Sequence, residues 1–363
     1  VSGPQGLRVV ALGGGHGLHA TLSALRRCPA VTDITAVVTV ADDGGSSGRL
    51  RRELGLLPPG DLRMALAALA ADDEGGRFWS GLVQHRFGGT GALAGHAVGN
   101  LLLAALLERD GDPVRALDTL GGLLGCAGRV LPMARVPLDI EAQVELDGVD
   151  GPHLIRGQVA VASTPGRVRR VWLLPEEPPA CDEAVRAVLA ADVVLLGPGS
   201  WFTSVLPHLL VPGLRDALLQ TTAARIVLLN LSPEPGETAG FSPEQHLEVL
   251  SGHAPDLRAH AVLADIGSVS LPERLHAAAS DLLVPGGRVW LADVADARAA
   301  SPRHDPDALS GALLDVFRAA VPAAPEPDRR DGTGHDLRDE TRQHSRDGSQ
   351  QHSPQRGRSP QWP

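Results

Sequence analysis

Residues 41–50 read "ADDGGSSGRL" and follow the β-branched run "ITAVVTV". Asp42 and Asp43 therefore stand where a strand is expected to end. Gly44, Gly45 and Gly48 free the backbone there, Ser46 and Ser47 supply hydroxyls, and Arg49, Arg51 and Arg52 come next. Two carboxylates beside an anion-holding loop suit one chemistry. The carboxylates take ligand hydroxyls or a hydrated cation, while loop N–H groups and an arginine take an anion. A hydrated Mg²⁺ between carboxylate and phosphate is a common arrangement, so Asp42 and Asp43 are also the candidate metal ligands. The alternative is that the two aspartates only cap the next helix or bend a turn.

Two further glycine clusters carry similar chemistry. Gly13, Gly14, Gly15 and Gly17 surround His16 after the run "RVVAL". Glycine lets the backbone turn tightly and approach a ligand, and a following helix N-terminus offers unpaired N–H groups to an anion. Gly15, Gly17 and Ala20 fit the G-x-G-x-x-A dinucleotide fingerprint. The other cluster, "GPGSWFTS" at 197–204, combines Gly197, Gly199, Ser200, Thr203 and Ser204. Asp61, in "PPGDLRMAL", stands at an expected helix N-cap. His96 and Asn100 are four apart in "GHAVGN", so they would share a helix face. Asn230 begins the polar stretch after "RIVLL" and joins the candidate ligand-binding set.

The elements that must position these residues read as α/β. Runs at 8–12, 34–40, 192–196, 224–230 and 287–293 are expected strands. "HATLSALRRC", with Leu18, Leu22 and Leu25 on one side, 95–108 and 306–320 are expected helices. Strand, glycine turn, helix and strand form a βαβ unit, which predicts a parallel, Rossmann-like sheet with helices on both faces. "LDIEAQVELDG", "HLIRGQVAVAS" and "VRRVWLLP" alternate with period two and predict a small antiparallel excursion near 136–175. Three glycine turns at strand ends place the site on the carboxyl edge, where open α/β sheets bind ligands.

Composition removes several function classes. A net charge of −10 argues against a nucleic-acid binder. The sequence has no lysine, so all 33 basic residues are arginine; a Walker A lysine, a Schiff base and the kinase strand lysine are excluded. The absence of tyrosine as well disfavours Tyr–Lys dehydrogenase chemistry. No H-x-x-x-H or H-E-x-x-H histidine pair is present. Cys28, Cys126 and Cys181 lack CxxC spacing and suit a reducing compartment. With no apolar signal segment at the start and no apolar run long enough to span a bilayer, the chain reads as cytoplasmic.

Taken in order, "GGGHGL", "VTVADDGGSSGRLR", "PPGDLRMAL", "GHAVGNLLLAAL", "GPGSWFTSVLPHLLVPG" and "NLSPEPGETAGF" closely resemble the YvcK, or gluconeogenesis factor, family. That family is related to CofD, the 2-phospho-L-lactate transferase. The resemblance spans about 8–320. It implies a Rossmann-like fold, binding of UDP-sugars such as UDP-N-acetylglucosamine, and links to cell shape, peptidoglycan precursor supply and growth on gluconeogenic carbon. The alternative it carries is a CofD-like, Mg²⁺-dependent transferase acting on a nucleotide-linked donor. Two departures stand out. His16 replaces the threonine of the family's "GGGTGLS", and Trp201-Phe202 replaces Leu-Tyr, leaving an aromatic surface without the phenol. Nothing in the sequence fixes the oligomeric state, and a homo-oligomer is compatible with it.

The expected domain runs from 1 to 324. Residues 325–363 carry seven acidic residues and seven arginines with almost no apolar side chain, and read as a disordered polar tail. A chain ending at Ala324 is expected to keep the melting temperature of the full chain, measured by calorimetry. A fall of many degrees would show that the tail packs.

Overall fold

Strand β1, Leu7–Gly13, is built from "LRVVALG", and every residue in it except Arg8 is buried. Such a continuous apolar run has no polar face to offer water, so it must be covered on both sides. It is an interior strand of a seven-stranded sheet. In chain order the strands are β1, β2 (Val31–Val38), β3 (Arg129–Pro132), β4 (Asp139–Glu145), β5 (His153–Arg156), β6 (Arg167–Leu174), β7 (Val193–Leu196), β8 (Ala224–Leu228), β9 (Ala259–Asp265) and β10 (Leu283–Ala292). The computed structural model describes residues 6–146, 148–234 and 236–321. The tail reading at 325–363 falls outside them.

The sheet order is β10-β9-β8-β7-β1-β2-β3, with every pair parallel. The chain builds outward from β1 through β2 to β3, returns to β7 on the other side of β1, and builds outward again. Leu12 pairs with Val37 on one side and with Leu196 on the other. The order therefore reverses between β1 and β7, and at such a switch point the two following loops diverge and leave a crevice.

Helices flank the sheet. The first three are α1 (Gly15–Leu25), α2 (Gly45–Leu54) and α3 (Pro59–Leu69). Leu18, Leu22 and Leu25 of α1 are buried, on the face that the sequence marks as apolar. The helix Pro306–Ala320 has the bounds expected of it and packs on α1. No helix among the described residues is long and apolar enough to cross a membrane.

The excursion is a three-stranded antiparallel sheet in the order β5-β4-β6. Ile140, Ala142 and Val144 of β4 are buried alternately, which is the period read from the sequence. One segment of it departs from expectation. "GQVAVAS" is not a strand: Gln158–Ala162 is a short helix. Gly157, at φ 106°, turns the chain into it, and the Asp43 carboxylate accepts the Val159 N–H at 2.9 Å. A tertiary contact to a residue 116 positions away thus overrides a local period-two pattern.

Other boundaries shift as well. β2 stops at Val38, so Asp42 lies beyond its end, and "GGSSG" is not a loop because Gly45 onward forms the first turns of α2. Asp61 is not the cap of α3; Pro58 holds that position and Asp61 sits inside the first turn. His96 precedes its helix, which runs Val98–Asp110. Trp201 and Phe202 offer no aromatic surface. Both are fully buried, and the Trp201 indole N–H donates to the His246 carbonyl at 3.0 Å. Strands β3 and β9 add to those expected from the sequence.

His208 ties the segment after β7 to β2. It is completely buried, with Nε2 3.0 Å from the Val37 carbonyl. Burial pushes its pKa down to about 4 from an ordinary 6.5. The unfolded chain therefore binds the proton first, and stability is lost as pH falls from about 6.5 to about 4. In denaturant titrations across that range, His208→Gln is expected to flatten the dependence while lowering stability at neutral pH.

Candidate functional site

Two glycine turns close the crevice at the switch point. After β1, Gly14 is the N-cap of α1, and a Cβ added there would lie 2.6 Å from both Asp61 Oδ2 and the Thr39 methyl. At Gly17 an added Cβ would lie 2.2 Å from the Pro198 carbonyl oxygen. The first turn of α1 thus rests directly on the turn after β7, and only glycine permits that approach. The second turn is itself clamped. Gly199 donates its N–H to Asn230 Oδ1 and accepts from Asn230 Nδ2, both at 2.9 Å. A π-helical turn, Trp201–Val205, then brings Thr203 and Ser204 to the cavity that Ser200 borders.

This cavity has a volume of about 240 Å³. It brings together Gly14, Gly15, His16, Gly17, Asp42, Asp61, Gly199, Ser200 and Thr203, nine of the candidates read from the sequence. Ser204, named in the third glycine cluster, also lines it; Thr39, Gln158 and Glu234 complete the wall, and sequence reasoning does not assign those three to the ligand. Thr39 flanks a glycine cluster, Gln158 falls in the segment expected as a strand, and Glu234 in the polar stretch after β8. Asn230 lines a smaller neighbouring hollow with His16 and Glu234.

The remaining candidates lie outside the cavity wall and act within the protein. Gly13 ends β1, and Gly197, at φ 79°, packs on the Leu228 carbonyl. Ser46 and Ser47 are buried in α2; a Cβ on Gly60 would lie 2.3 Å from Ser47 Oγ, so the two helix starts are in close contact. Asn100 donates to Ser46 Oγ at 2.9 Å and accepts from Arg63 Nε at 2.9 Å. Ser46 Oγ is in turn 2.9 Å from His96 Nδ1. Arg49 donates to the Ala94 carbonyl at 2.7 Å. His96 and Asn100 do converge, but on Ser46 and without sharing a helix face.

Asp42 and Asp43 turn apart. Asp42 accepts the Gly44 N–H at 2.9 Å and faces the cavity, whereas Asp43 is held by Val159. The adjacent pair therefore does not present two carboxylates to one ion. The carboxylates that share the cavity with Asp42 are Asp61 and Glu234. Among the described residues, no cluster of three or more His, Cys, Asp or Glu is placed to hold a metal.

The comparisons with known proteins agree on kinship. The family described as 2-phospho-L-lactate transferase CofD matches residues 9–284. The chain belongs to the CofD family. Within that family it lies close to the gluconeogenesis factors. It is 40% identical over 245 residues to the gluconeogenesis factor of Halalkalibacterium halodurans, covering 68% of this chain and 73% of the relative. A Mycobacterium tuberculosis protein named after the same factor is 57% identical over 323 residues, 88% of this chain and 92% of the relative. A crystal structure of a UPF0052 family member from Bacillus halodurans superposes with a TM-score of 0.75 at 33% identity, covering 85% of this chain and 99% of that one.

The CofD-family match includes every residue of the small cavity but ends before Asp296. A second, larger cavity of about 870 Å³ is completed by the segment beyond the match. His16, His19, Ser232 and Glu234 form one side of it, and Asp296, Pro302, Arg303 and His304 the other. Arg303 Nε donates to Asp296 at 3.0 Å. The two cavities share His16 and Glu234.

The charged groups bordering the small cavity, His16 apart, are all carboxylates: Asp42, Asp61 and Glu234. Burial foremost, and then Asp42, push the Asp61 pKa up to about 7. Burial likewise raises Glu234. Near neutrality the floor can both donate and accept a proton, which suits ligand hydroxyls. Glu237, beside Ser200, is buried, and burial foremost pushes its pKa up to about 7.

Because the folded state protonates Asp61 well above the ordinary 3.8, this group's contribution to stability is lost as pH rises from about 4 to about 7. Asp61→Asn in the ligand-free protein is expected to raise the melting temperature at pH 8 by a few degrees, with the gain vanishing near pH 4. Thermal scans at a series of pH values check this.

Proposed function

We propose that this protein binds a nucleotide sugar of the UDP-N-acetylglucosamine type and acts as a ligand-responsive regulator of carbon supply to peptidoglycan and of cell shape. The observation that carries this reading is the cleft at the switch point, where Thr39 and Thr203 hydroxyls are buried without a hydrogen-bond partner. An unmet buried hydroxyl costs about 1–3 kcal/mol, so the wall favours a ligand that supplies polar atoms. Close-packed glycine turns and the N-terminus of α1 supply backbone N–H groups for the phosphates. Asp42 takes a hydroxyl, directly or through a hydrated Mg²⁺, for which the oxygen-only pair Asp42 and Asp61 is a chemically suitable setting.

The second reading is a CofD-like transfer reaction. The two facing carboxylates and the family match support it, since such a site could hold Mg²⁺ and position a nucleotide-linked donor.

A thermal-shift panel of UDP-N-acetylglucosamine, GDP and adenine nucleotides, with and without Mg²⁺, tests the first reading. Ligand at 100 times its Kd should stabilise the native state by about 2.7 kcal/mol, and UDP-N-acetylglucosamine is expected to give the largest rise in melting temperature. No shift with any of them would count against nucleotide-sugar binding. Nucleotide released on incubation with a donor and an acceptor would favour the transferase.

A further inference from the structure

The two cavities differ in chemistry, and that difference gives a bound nucleotide sugar a direction. The small cavity offers carboxylates at Asp42 and Asp61 and unpartnered hydroxyls at Thr39 and Thr203, which are 2% and 0% exposed. A diphosphate placed there would meet repulsion, whereas a hydroxyl-rich ring can donate to the carboxylates and complete both threonines. At about 240 Å³ this space lies below the range of roughly 300–1,000 Å³ usual for drug-sized ligands. The neighbouring cavity of about 870 Å³ has room for a larger group.

His16 and Glu234 stand at the junction. His16 is the second residue of the eleven-residue α1, at the positive end of its dipole. Among the described residues bordering the small cavity, His16 is the one basic side chain. Where the family pattern has threonine, this chain places a longer donor that reaches both spaces.

Resting on the nucleotide-sugar reading, we propose that the ligand lies across the two cavities. Its sugar sits in the small one against Asp42, Thr39 and Thr203, its diphosphate at His16 and the start of α1, and its nucleoside in the large one. His16 is thus a ligand-contacting residue that recognises the diphosphate link, and the small cavity is the sugar selector.

Calorimetric titration with UDP-N-acetylglucosamine and with UDP separates the parts. Thr203→Val keeps the side-chain shape and removes the hydroxyl. It is expected to weaken UDP-N-acetylglucosamine about tenfold, the effect of one lost hydrogen bond, and to leave UDP unchanged. His16→Ala is expected to weaken both ligands by a similar factor. If Thr203→Val does not fold, judged by its ligand-free melting curve, Thr39→Val answers the same question. Equal weakening of UDP and UDP-N-acetylglucosamine by the threonine variant would put the diphosphate in the small cavity and overturn the placement. Unchanged affinity of both ligands for His16→Ala would do the same. If the wild-type protein binds neither ligand, the nucleotide-sugar reading itself fails and the placement falls with it.

Discussion

The contact between Gly17 and the Pro198 carbonyl joins the two halves of the sheet at their shared edge. An ordinary side chain at position 17 would need to occupy space 2.2 Å from a backbone oxygen, which packing forbids. With glycine there, α1 settles onto the turn after β7, and the crevice left by the strand reversal becomes a closed-sided cavity. Asn230, two residues beyond β8, supports this by holding both the N–H and the carbonyl of Gly199. The side of the cavity formed by these two turns is therefore backbone and short hydroxyl side chains fixed by main-chain geometry. Such walls need little ordering when a ligand arrives, which is the meaning of preorganisation.

A second layer stiffens the opposite wall. Arg63, Asn100, Ser46 and His96 form a continuous hydrogen-bonded chain behind α2 and α3, and Arg63 is almost wholly buried. Its guanidinium also lies near enough to Asp61 and Asp42 to offset part of their charge, although burial outweighs it at Asp61. Polar residues that a sequence reader assigns to a ligand are used here to satisfy one another. Buried networks of this kind hold a unique arrangement when every member is paired.

What the sequence made legible came from strong, local signals. The apolar runs, the glycine turns and the leucine spacing of α1 lead to the parallel sheet and to its functional edge. The alternation in β4 gives the antiparallel excursion. The less legible parts depend on contacts distant in the chain. Gln158 reaches the cavity because Asp43 captures Val159, and no period in "GQVAVAS" encodes that. Ser46 and Ser47 look like ligand donors until the glycines before them start a helix and turn both side chains inward. Trp201 and Phe202 look like a surface pair because their neighbours are polar. The tight turn at 197–199 instead sends them into the core. The cavity wall at Asp296–His304 comes from a segment whose position is set by the pairing of β10 with β9, a strand that the sequence does not announce.

The hold of Asp43 on Val159 makes the small antiparallel sheet a lever. Gln158 stands in the cavity wall, Val159 hangs on the carboxylate, and β5 ends at Arg156, two residues before Gln158. Pulling the small sheet away would withdraw Gln158 from the wall and free the aspartate beside Asp42. The exchange runs in both directions, since coupling between two sites is reciprocal in free energy. Whatever attachment a cavity occupant gains from Gln158, the three-stranded sheet gains as tethering to the main body.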